Sequence, residues 1–232
     1  MNFDQRFYGV YEGIVVNNND PENRGRVTLQ VPQVTGSAET NWAASITGGL
    51  SQNHYPYITV ISTEDQTVTG ANQATIANFS TVADSNNMLL VDNTKIKVQE
   101  SGDYLLAFSA QFSKPGSNSA QADIWVLKNG TPIPDTNSRV TMAGNPNEVL
   151  AAVPFIVDLE VGDYIQFAFS SADNSVALTC HNSLTSPTRP NIPGIIATLN
   201  LIGKYKPHAG TKVGVMYLAG DPNFPLWIGE IA

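Results

Sequence analysis

Cys180 and His181 set a thiol beside an imidazole, the two groups that nucleophilic catalysis needs. Neighbours on an extended chain point to opposite faces, so they cannot share a proton there, and Cys180 reads as a buried structural cysteine. His54, His181 and His208 lie far apart, without the i, i+2 or i, i+4 spacing of a local metal site, and read as surface or turn residues. The acidic pairs Glu64-Asp65 and Asp158 with Glu160 have the residue types for acid–base work, but their setting is that of solvated loop and strand-end charges. There is no phosphate-binding glycine loop and no glycine-flanked nucleophile elbow. Two oxygen-rich stretches, Asp135-Thr136-Asn137 and Asp173-Asn174-Ser175, carry ligand types suited to Ca²⁺. Neither resembles an EF-hand loop, and turn-forming Asp and Asn explain both without a metal. The expectation is a chain with no catalytic residues, no cofactor and no metal.

The composition limits the partners. Of 232 residues only 14% are charged, and twelve basic against twenty acidic side chains leave a net charge of −8. That balance argues against a general nucleic-acid or anionic-membrane binder. One cysteine excludes an intramolecular disulfide. The start has no basic region followed by an apolar run, and no stretch approaches the roughly 18 apolar residues of a membrane span. A soluble, unexported chain is expected, in which the sequons at Asn78 and Asn129 carry no sugar. Neutral polar surface punctuated by 18 Gly and 14 Pro favours short strands and turns over long helices.

The elements follow from periodicity. Tyr8 to Val16 reads as a strand, Asn17-Asn18-Asn19-Asp20-Pro21 as a turn, and Gly25 as the positive-φ residue where the chain rejoins the sheet. Val27, Leu29 and Val31 then face one way and Thr28 and Gln30 the other, until Pro32 ends the pairing. Near the C-terminus Val213, Val215 and Tyr217 alternate with Gly214 and Met216, and a turn through Gly220-Asp221-Pro222-Asn223 leads into Leu226-Trp227-Ile228. These two ends hold about five short strands, too few in either piece for a core. One small barrel split by the middle of the chain is the reading that joins them.

The middle is strand-like throughout. Gly102-Asp103-Tyr104-Leu105 and Gly162-Asp163-Tyr164-Ile165 form a near repeat, in which the small turn residues lead into two similar core strands. Leu106, Phe108, Ala110 and Phe112 follow Tyr104 on one face, and Phe167 and Phe169 follow Ile165. Asn129-Gly130, after Ile124-Trp125-Val126-Leu127-Lys128, signals a tight hairpin. Such strands and turns predict a sandwich or jelly roll. Ala71 to Ala83 is the only helical competitor.

Tyr8-Gly9-Val10 through Asn19-Asp20-Pro21-Glu22-Asn23-Arg24-Gly25-Arg26-Val27-Thr28-Leu29-Gln30-Val31-Pro32, with Trp42 after it, resembles the OB-fold domain of the baseplate hub and spike proteins of contractile-tailed phages. Gly210 to Tyr217 and Gly220 to Gly229 look like its closing strands. The muramidase and needle of fuller relatives do not follow, so their peptidoglycan-cleaving activity is not carried over. Residues 77–202 are similar to TNF/C1q-like jelly rolls of tailed-phage virion proteins, through Ser101-Gly102-Asp103-Tyr104, Ile124 to Thr131, Asn137 to Thr141, Val161-Gly162-Asp163-Tyr164 and Ile195 to Leu199.

The resemblance implies an all-β protein: an OB-fold barrel, residues 1–50 and 205–232, split by an inserted jelly-roll sandwich, residues 51–204. It also implies a homotrimer, because both families are typically trimers about a threefold axis. The function implied is a structural part of a phage tail or baseplate, made in the host cytoplasm and resident in the virion, docking through the barrel on other tail proteins. The alternative is a receptor-binding module for a host surface glycan, with Tyr55, Tyr57 or Trp125 stacking on sugars, although the same aromatics suit strand cores. The barrel segments carry five basic and seven acidic residues, a poor groove for single-stranded nucleic acid. Candidate partner contacts are Arg24 and Arg26, which equally suit a solvated turn, together with Trp42, Phe224 and Trp227. Deleting residues 205–232 is expected to unfold residues 1–50. Retained tryptophan burial and hydrogen-exchange protection there would refute the split barrel.

Overall fold

The computed structural model describes residues 6–22, 24–46, 56–144 and 147–231. The chain divides into two compact units: Met1–His54 with Glu100–Asp103 and Ile202–Ala232, and Tyr55–Gln99 with Tyr104–Leu201.

In the first unit five short strands run in the order Thr28–Gln30, Tyr11–Asn17, Lys212–Tyr217, Pro225–Glu230, Ala44–Ser45. All pairings are antiparallel except the last, where Leu226 and Trp227 lie beside Ala44 and Ser45 in parallel. The ring closes because Val27 and Ala43 exchange N–H···O bonds of 3.1 and 2.7 Å. A closed ring leaves no edge to satisfy and turns alternate side chains inward. Val15, Val27, Leu29, Val31, Ala43, Val213, Val215 and Trp227 are all buried. Gly13 is set by close approach: a Cβ there would stand 2.6 Å from Val215 Cγ2. Gly25 has φ +72°, and Pro32 opens a one-turn helix, Pro32–Thr35, where its missing N–H costs nothing.

The second unit is a sandwich of two sheets. One runs Gln66–Thr67, Ala177–Leu178, Ser101–Lys114, Ile195–Lys206, Tyr57–Ser62, Thr81–Asn86, with Asn147–Leu159 also on Ser101–Lys114. The other runs Thr131–Pro132, Ala120–Lys128, Tyr164–Ser171, Lys95–Val98, Met88–Val91, with Ser138–Met142 and Thr75–Ile76 alongside. Tyr104, Leu106, Phe108, Ala110 and Phe112 point inward, as do Ile165, Phe167 and Phe169. The two repeat strands therefore meet face to face, Phe108 on Phe167 with centroids 5.3 Å apart and Phe112 on Phe169 at 6.1 Å.

The repeat is unequal at its start. Gly162 sits in a turn at φ +88°, whereas Gly102 and Asp103 already lie inside the strand Ser101–Lys114. Only the second copy uses its small residues as a turn. Residues 71–83 form no helix: Thr75, Ala77 and Phe79 are buried while Ile76, Asn78 and Ser80 are exposed, a period of two that a helix cannot produce.

Asn129 (φ +53°) and Gly130 (φ +78°) make the tight turn between Ala120–Lys128 and Thr131–Pro132. Asn129 also ties that turn to the next: its amide donates to Asp163 at 2.7 Å and accepts from Tyr164 N–H at 3.0 Å. Lys128 reaches the same carboxylate at 2.8 Å. Asn129→Ala loses both the turn preference and the tie, and is expected to cost about 1–2 kcal/mol in urea unfolding. An unchanged midpoint would show that the tie is idle.

Candidate functional site

In the barrel, the turn after Tyr11–Asn17 is held by one carboxylate. Asp20, with no side-chain exposure, accepts backbone N–H bonds from Glu22 (3.1 Å), Arg24 (2.8 Å) and Arg26 (3.2 Å). It also takes the Arg26 guanidinium side-on, at 3.0 Å from Nε and 2.7 Å from Nη2. Arg26 in turn lies over the half-buried Trp42, 5.8 Å from the ring centre. The Arg26 hydrogen bond, aided by the three backbone donors and opposed by burial, holds the Asp20 carboxyl well below the usual carboxylate range.

This geometry sorts the proposed contact residues. Arg26 is engaged inside the turn, with its side chain only 17% exposed, and its first task is structural. Arg24 is outside, in a surface pair with Glu22 at 3.0 Å. Trp227 is 0% exposed and has no surface left for a partner, a correction with a simple cause: it falls on the inward parity of its strand, beside Val215. Phe224 is 58% exposed. The barrel leaves Tyr8, Val10, Met216 and Leu218 exposed as well. The signal for Met216 was the alternation itself, which puts an apolar residue on the solvent side of its strand.

In the sandwich an exposed apolar row lies along one strand. Along Asn147–Leu159, Ala151 and Val157 are buried and Phe155 stacks near Phe108, while Leu150, Ala152, Pro154 and Ile156 are all exposed. The unbroken apolar run Val149 to Val157 is its sequence signal, because a strand with one wet face should alternate.

Cys180 and His181 do turn to different partners. The Cys180 thiol points to Thr63 O at 3.0 Å and Asp65 Oδ1 at 3.3 Å, whereas His181 Nε2 lies 3.2 Å from Glu148 Oε1. Cys180 is half-buried and not enclosed, lying past the end of the short strand Ala177–Leu178. Burial and then the Asp65 carboxylate push the thiol pKa up, which favours the protonated form.

The oxygen-rich loops are engaged by their own turns. Thr136 accepts from Val126 N–H at 3.2 Å and donates to Ile133 O at 2.8 Å. Asp173 accepts from Ser175 N–H at 2.9 Å and pairs with Lys114 at 3.3 Å. Among the described residues no three His, Cys, Asp or Glu side chains converge as metal ligands, and no helix is long and apolar enough to cross a membrane. Tyr57 and Trp125 are half-buried, with the Tyr57 hydroxyl donating to Asp84 at 3.3 Å. Tyr55 and His54 lie outside the described residues.

Residues 11–54 match the type VI secretion system/phage-baseplate injector OB domain. The match covers the barrel strands Tyr11–Asn17, Thr28–Gln30 and Ala44–Ser45 and the Asp20 turn. Two solved structures similar to the chain are murine APRIL at pH 5.0 and the globular domain of zebrafish complement 1qA. The first is 11% identical with a TM-score of 0.44, over 64% of this chain and 100% of that one. The second is 12% identical with a TM-score of 0.42, over 64% of this chain and 98% of that one. Curated proteins supply no match. The sandwich rests on its own strand pairing.

Asp20→Asn removes the charge that gathers five donors and is expected to cost about 2 kcal/mol, the scale of charge-assisted hydrogen bonds. Because folding depresses this pKa, the stabilisation is present above the ordinary carboxylate value of about 4 and is lost as pH falls below it. Stability measured from pH 7 down to pH 2 should thus fall less steeply in the variant. Parallel acid limbs would exclude Asp20 as the source.

Proposed function

We propose that the chain is a non-enzymatic structural component of a phage tail or baseplate. The observation that carries this reading is the baseplate-injector OB match at residues 11–54, on a sequence whose two ends supply the strands of one closed barrel. In this reading residues 1–50 and 205–232 are the docking domain and residues 51–204 an inserted jelly roll carried outward by it. The barrel docks on another tail or hub protein through Tyr8, Val10, Leu218 and Phe224, with Arg24 at the rim. The protein resides in the virion after synthesis in the host cytoplasm.

The assembly proposed is a homotrimer. Its support is the exposed row Leu150, Ala152, Pro154 and Ile156, since large contiguous apolar surface on a folded unit marks an interface. An identical row on each copy suits a symmetric ring. A second reading, attachment to a host surface glycan, is favoured by one observation, a depression in the sandwich that carries an unpaired arginine.

Light scattering is expected to give about three times the 24.9 kDa chain mass. Leu150→Asp with Ile156→Asp should reduce that to the single-chain mass while circular dichroism keeps its strand signature. A monomeric wild type at micromolar concentration overturns the trimer, and absence of the chain from purified particles of the producing phage overturns the tail assignment.

A further inference from the structure

Among the described residues the lysines and arginines of this chain are mostly paired with carboxylates. Among the described side chains Arg6, Arg24, Arg26, Lys95, Lys114, Lys128, Arg139 and Lys212 each lie within 4.0 Å of a carboxylate oxygen. Lys97 and Arg189 do not. Lys97 sits on a sheet strand, whereas Arg189 stands in the wall of a depression of about 390 Å³.

A β-hairpin builds that wall. His181 and Ile192 exchange backbone hydrogen bonds of 2.9 and 2.8 Å at its base, and Leu184 pairs with Arg189 nearer its tip. Directly opposed residues share a face, so the Arg189 side chain leaves the hairpin beside Leu184. Leu184, Pro190 and Ile192 give the depression an exposed apolar side. Its one carboxylate, Glu148, lies 3.2 Å from His181 Nε2 without the alignment of a hydrogen bond. A guanidinium with its fork unfilled, next to an apolar shelf, is matched to a ligand with an anionic group on a ring that has one C–H face. The volume is within the range of small-molecule sites.

The larger depression of the sandwich, about 670 Å³, lacks this feature. Its arginine, Arg139, makes two bonds to Asp123, at 2.9 and 3.0 Å, and its Asp173 is held by Lys114 and Ser175. Its charges are already satisfied.

We infer that the Arg189 depression binds an anionic sugar, a pyranose bearing a carboxylate or a phosphate, with the anion on the Arg189 fork and the ring on Leu184, Pro190 and Ile192. The inference rests on the attachment reading and supplies its ligand class. It explains why one arginine of an acidic chain is left unpaired.

The test uses the full chain and Arg189→Gln, on an array of acidic and neutral glycans and by NMR titration with glucuronic acid, glucose 6-phosphate and glucose. At least one acidic sugar is expected to bind ten times or more tightly than glucose, and the one that does identifies the anion. Arg189→Gln should lower that affinity to the glucose level with an unchanged melting curve, while Arg139→Gln leaves it as in the wild type. Glycan binding that survives Arg189→Gln overturns the site and leaves the attachment reading standing. No binding to any glycan or sugar overturns the attachment reading and the site with it.

Discussion

Closure of the five-strand ring is the constraint on which the barrel depends. Strands of two to seven residues cannot bury a core alone, and here the closing strands come from opposite ends of the chain. Val15, Val27 and Leu29 from the first end and Val213, Val215 and Trp227 from the last are dry only because Lys212–Tyr217 pairs with Tyr11–Asn17 and Val27 bonds to Ala43. In the sandwich the chain enters and leaves side by side. Its first and last long strands, Tyr57–Ser62 and Ile195–Lys206, pair antiparallel, with Tyr57 opposite Asn200 and Leu201 N–H bonded to Pro56 O at 2.9 Å. A unit whose chain enters and leaves on adjacent strands can be inserted into another fold without stretching it.

Electrostatics plays a local part in this economy. With few charges, the chain spends them on turns: Asp20 gathers the 20–26 turn, Asp163 ties the 129 and 162 turns, and Asp173 shapes its own loop. The surface is left largely neutral, and its apolar rows are therefore not screened by charge. That condition suits contacts between subunits, whose buried centres are depleted in charge. Arg189 stands out against this background because its neighbours leave it unneutralised.

Much of the fold is legible from periodicity. Val27, Leu29 and Val31, and Tyr104 through Phe112, alternate in sequence and alternate in burial. Asn129-Gly130 specifies its turn because few other residues accept two successive positive φ values. The site was far less legible. Arg26 and Trp227 have the residue types of interface anchors, yet one is absorbed by Asp20 and the other by the core. Residue type says what a side chain can do, and only its surroundings say whether it is free to do it. Gly102 and Gly162 make the same point for the backbone, since one motif lies within a strand and its copy in a turn.

The sequence by itself determined the all-β character, the inward faces of the main strands and the tight turns, because these follow from two-residue periodicity and local backbone preference. Tertiary structure alone decided which charges are spent and which remain. Glu148, His181 and Arg189 meet at one depression, and Leu150 to Ile156 lie open on a sheet, through strand pairing between segments tens of residues apart. Local sequence carries no record of such pairings, since the energy that selects them belongs to the packed whole.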